Sequence, residues 1–98
     1  MLLQITHTHS PETCPAVHAE HRVTLRRCYE ALRESGEVKV VGAFASPLDH
    51  VFHFTVEAAD LASVVRAMAP LNAIGTAKTE PVIPLDDLIS LVSSEGST

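Results

Sequence analysis

The chain has 98 residues, 46% of them hydrophobic and 4% aromatic, with a formal net charge of −5. That length and aliphatic content suit one domain, spanning residues 1–98, that buries its core without disulfides. The charge argues against a nucleic-acid partner: Arg22, Arg26, Arg27 and Arg33 are the main basic group, Glu20, Glu30 and Glu34 are set among them, and phosphate binding draws on clustered Lys and Arg.

No stretch reaches the roughly 18 apolar residues of a membrane span, and no basic segment followed by a long apolar run is visible at the start. The expected location is cytoplasmic, with no membrane partner. Two cysteines, Cys14 and Cys28, are too few for a disulfide framework, and a bridge between them is not expected among reduced thiols.

Leu2 to Thr8 reads as a strand that carries Leu3, Ile5, His7 and His9 on one face. Residues 10–15 form a loop. Cys14 is held extended by the proline that follows it, and Pro15 suits the first position of a helix. That helix is expected over Pro15–Ser35, stopped by Gly36, with Val17, His21, Leu25, Cys28 and Leu32 as its inward stripe.

Glu37–Ala45 is a second strand, Ser46–Asp49 a turn, and His50–Glu57 a third strand with Phe52, Phe54 and Val56 on one face and Val51, His53 and Thr55 on the other. Asp60 caps a second helix from Leu61 to about Ala69, ended by Pro70. Ala73–Ile83 is a fourth extended segment whose prolines, Pro81 and Pro84, confine its end to an edge. Leu85–Val92 is an amphipathic helix through Leu85, Leu88, Ile89 and Val92, and Ser93–Thr98 reads as a frayed tail.

The order is β-α-β-β-α-β with a helical tail, the ferredoxin-like α+β pattern: a two-layer sandwich with one sheet face left open. With segments such as Val38-Lys39-Val40-Val41-Gly42 and Glu80-Pro81-Val82-Ile83-Pro84, the chain resembles the small dimeric α+β-barrel proteins. The resemblance implies a homodimer whose two sheets pack face to face and enclose a pocket in each subunit. It also implies the company of cofactor-free monooxygenases, haem-degrading enzymes and isomerases, although no residue pattern here matches the catalytic set of any one of them.

The chemistry concentrates near the front: His7, His9, Cys14, His18 and His21 lie within fifteen consecutive residues, and His50 and His53 are the other histidines. Imidazole and thiolate are the side chains that bind zinc, copper, nickel and iron. In the expected topology the end of the first strand lies beside the start of the third, so His7, His9, Cys14 and His53 form the expected metal site. His18 and His21, three apart on a helix, form a second and lesser grouping with Cys14, and His50 is a further candidate. Cys28 reads as a small core residue.

The leading expectation is a homodimeric transition-metal protein, catalytic as an oxidoreductase if a coordination position is open and structural if it is closed. A second is a metal-free enzyme of the monooxygenase or isomerase kind, with His53 or His9 as general base on a small-molecule substrate. Haem is a variant that the aromatic-poor composition speaks against. A third is a non-catalytic binding or dimerisation module in which histidines tune an interface with pH.

Overall fold

The computed structural model describes residues 1–96. Strand β1 (Leu2–His9) leads through a 3-10 turn (Pro11–Thr13) to helix α1 (Ala19–Glu34) and then β2 (Val38–Ser46). A second 3-10 turn (Pro47–Asp49) joins β2 to β3 (Val51–Ala58). Helix α2 (Leu61–Met68) continues through a 3-10 segment (Ala69–Ala73) into β4 (Gly75–Val82), and α3 (Leu85–Gly96) follows. The strands make one antiparallel sheet in the order β2-β3-β1-β4. This is the ferredoxin-like α+β sandwich with an appended helix.

Strand alternation builds the core. Leu3 and Ile5 of β1 and Phe54 and Val56 of β3 are buried on one sheet face, against Cys28 and Leu32 of α1 and Val64 and Met68 of α2. Asp60 starts α2 as expected: its Oδ1 accepts from the Ser63 amide and hydroxyl, both at 2.8 Å. Those two bonds hold its carboxyl below the usual range. Among the described residues, neither α1 nor α2 packs on the opposite sheet face. There Phe44, 73% exposed, stands in one cross-strand row with His53, Thr6 and Lys78.

The strand ends and the end of α2 shift by one or two residues from the sequence reading, and two helix boundaries differ by more. Helix α1 starts at Ala19 rather than Pro15, because the Cys14 carbonyl accepts from both the Val17 and His18 amides and closes a separate turn there. Val17, expected inward, is therefore 69% exposed. Helix α3 runs through Gly96, so the expected frayed tail is helical over residues 93–96, and residues 97–98 of that expectation lie outside the described residues.

Candidate metal centre

The β1–β3 ladder sets the site. His7 lies opposite Phe52 and Thr8 opposite Val51, and the His9 amide donates to the His50 carbonyl at 3.0 Å. Opposed residues in an antiparallel pair share a face, so His7, His9 and Phe52 all point to the helical side. His50 precedes β3 in a left-handed conformation (φ 56°, ψ 47°) that ends the Pro47–Asp49 turn. Its ring meets that of His9 edge-on at 5.4 Å.

Cys14 arrives from the other side. Its extended backbone (φ −64°, ψ 120°) is what the following proline imposes. Arg22 of α1 pins the turn behind it, its Nε donating to the Pro15 carbonyl at 3.1 Å and its Nη2 to the Ala16 carbonyl at 3.2 Å. The result is a group of three: ligand atoms of His9, Cys14 and His50 all lie within 4.8 Å of one another. His9 is 7% exposed and Cys14 4%. Nδ1 of His9 and Nδ1 of His50 are enclosed without a hydrogen-bond partner, which is costly unless a ligand or water satisfies them. Burial, and then the neighbouring charges of His7 and His50, hold the His9 imidazole below its ordinary value, so it is neutral with a free lone pair at neutral pH.

His9 and Cys14 also line a cavity of about 240 Å³ under the start of α1. Its other walls are Pro15, Ala16, Leu25, Ala45, Pro47 and Phe52, with Arg22 the one charged neighbour. A larger cleft of about 510 Å³, at the far end of the sheet around Arg33 and Lys39, brings no histidine or cysteine together.

Of the four residues expected to form the site, the structure brings His9 and Cys14 together. His7 is near, its ring 5.8 Å from that of His9, but it is wholly buried and its Nε2 donates to the Leu71 carbonyl at 2.9 Å. Its Nδ1 is left enclosed without a partner. His53 is not brought to the group: it pairs with Thr6 and Phe44 on the open face. His50, which sequence reasoning held only as a further candidate, occupies the third position. His18 occupies the position before α1 without capping it through its side chain, whose Nε2 donates to the Pro11 carbonyl at 3.1 Å, and His21 lies 3.8 Å from Glu20. Neither joins the group. Cys28 is the expected core residue; its thiol donates to the Ala67 carbonyl, and burial pushes it up to about 11.

Among solved structures, an antibiotic biosynthesis monooxygenase superposes with a TM-score of 0.55, covering 86% of this chain and 100% of its own, at 21% identity. The chain has the fold of that monooxygenase. No protein-family model and no curated protein sequence matches it.

Proposed function

We propose that this protein binds one transition-metal ion per chain through His9, Cys14 and His50, and that it works as a homodimer in oxidation chemistry on a small molecule held in the adjoining cavity. The observation that carries the metal reading is the convergence of two imidazoles and a thiol within 4.8 Å, with ring nitrogens enclosed and unpartnered. Three donors leave a coordination position for an exogenous ligand, the arrangement of a catalytic rather than a structural site. The bound ion would supply Lewis acidity or electron transfer. The protein's part is to hold the donors, with Arg22 fixing the Cys14 turn and the β1–β3 ladder fixing His9 against His50. The monooxygenase fold supports the oxidative part of the reading.

Metal analysis of protein purified without a histidine tag, with thiols kept reduced, tests this. We expect one ion per chain, and retention below a tenth of that in Cys14→Ser. A wild-type protein that takes up no stoichiometric metal from any of zinc, copper, nickel or iron sinks the reading. The same cavity favours a second one, in which His9, neutral at pH 7, is the general base of a metal-free oxidation. Oxygen consumption that survives complete chelation would move the conclusion there.

A further inference from the structure

The geometry points to monovalent copper as the ion that this site selects, an inference that rests on the metal reading above. The first argument is the donor set. It holds two imidazoles and one thiol, which would bind an ion as two neutral nitrogens and one thiolate, with no carboxylate in the group. Oxygen-seeking ions are disfavoured by such donors, and thiolate favours the soft ions.

The second argument is charge. A thiolate with Cu(I) sums to zero, whereas a thiolate with Zn(II), Ni(II) or Fe(II) leaves a full positive charge. That surplus would sit on the buried side of the group, where Cys14 is 4% exposed and His9 7%, with His50 half-buried, beside the buried Pro15 and the half-buried Leu25 and Phe52. An uncompensated charge in such surroundings is expensive. The one charged group lining the cavity, Arg22, adds to the surplus instead of offsetting it. Of the carboxylates nearest in sequence, Glu12 is the one whose charge reaches His50, but both it and Asp49 are exposed on the loops, where water screens them.

The third argument is coordination number. A tetrahedral divalent ion needs a fourth donor, and His7 does not reach as one: its Nε2 is committed to the Leu71 carbonyl, and its unpartnered Nδ1 is not among the atoms that lie within 4.8 Å of one another. Water as fourth ligand would face apolar walls with few hydrogen-bond partners. Cu(I) is satisfied by three donors. A trigonal ion with bonds of about 2.0–2.3 Å spaces its donors at roughly 3.5–4 Å. The three atoms, now within 4.8 Å, need to draw together only slightly.

The test is a competition under anaerobic, reducing conditions with the untagged full chain, using a chromophoric Cu(I) chelator and a chromophoric Zn(II) chelator as references. We expect one Cu(I) per chain, and complete displacement of Zn(II) by equimolar Cu(I). The charge argument has its own arm. Ala45 lies opposite Phe52 on the cavity side of β2 and is exposed, so Ala45→Glu sets a carboxylate on the wall without disturbing the core. Zn(II) affinity should rise at least tenfold in this variant while Cu(I) affinity stays level or falls. Zinc retained against equimolar copper, or a copper-to-zinc affinity ratio that Ala45→Glu leaves unmoved, overturns the inference while the metal reading stands. Binding of neither ion overturns both.

Discussion

His50 is the only non-glycine residue with a positive φ among those described, and nothing in its own turn requires a histidine there. A left-handed conformation costs a non-glycine residue on the order of 1 kcal/mol or more, and such strain gathers at functional positions. The strain gives the prediction a sign. His50→Gly should leave the thermal midpoint of the metal-free protein unchanged or raise it, while ion affinity falls by at least about 100-fold, more than a typical supporting-residue loss. His53→Ala should leave metal content untouched, because His53 faces the other side of the sheet. Isothermal titration of the two variants decides it; equal losses would place both in the site. The choice between these two histidines was legible in the sequence through parity. His50 has the strand parity of Phe52 and Phe54, the aromatic face of the third strand, and His53 has the opposite parity. What could not be read was the left-handed turn before β3, which lets His50 keep that parity while swinging its ring onto His9. The approach of Cys14 to His9 was expected from its loop leaving the end of β1; how closely it comes was hidden, since that depends on how Arg22 ties down the turn ahead of α1.

At the scale of elements, the β-α-β-β-α-β order follows from hydrophobic periodicity, because strands and helices here bury regular stripes: Leu3 and Ile5, Phe54 and Val56, Cys28 and Leu32. Boundaries followed less well where backbone hydrogen bonding outcompetes local preference, as in the Cys14 turn that delays α1. A register change in β2 between Val40 and Gly42 was not readable at all. It puts Ala43 opposite Phe54 and Ala45 opposite Phe52, and Ala45 is the small residue of this strand that lines the cavity. The entry to β4 is built to closer tolerance. Gly75 pairs with His9, and a Cβ there would collide with the Thr8 carbonyl and meet the His7 ring at 2.7–2.8 Å. We expect Gly75→Ala to destabilise the fold by about 1–3 kcal/mol, the usual cost of overpacking. Displacing His7 should also weaken its bond to the Leu71 carbonyl and loosen the neighbouring His9. Urea denaturation measures the first effect, and ion affinity in the folded variant the second. A Gly75→Ala protein as stable as wild type would mean that the strand edge yields freely.

The whole molecule is too extended for a chain of its length standing alone. Its radius of gyration is 15.8 Å, against about 13 Å for a compact 100-residue domain, and its longest dimension is 57 Å. Two surfaces account for the excess. Helix α3 exposes Leu85, Leu88, Ile89 and Val92, an apolar stripe at helical spacing. The open sheet face exposes Phe44, and carries Lys39 and Lys78 alongside Glu57 and Glu80. A face holding equal numbers of both charges complements itself under a two-fold axis, where each patch meets its own copy. The proposed homodimer would therefore bury the open faces against one another and give the α3 stripes a surface to cover. A stable interface of this kind requires roughly 1,200–2,000 Å² in total, more than the sheet faces' scattered apolar residues suggest unless the helices contribute. Light scattering after size exclusion should give a dimer for the wild type at micromolar concentration. Phe44→Glu tests the sheet face and Ile89→Asp tests the helix. Each should shift the mass toward a monomer with the circular dichroism spectrum retained, since both side chains are solvent-exposed in the single chain. Ion affinity should be nearly unchanged in these monomers, because His9, Cys14 and His50 all come from one chain and lie on the other side of the sheet. A wild-type monomer at 100-fold higher concentration, or dimers that survive both substitutions together, would require another role for the exposed helix.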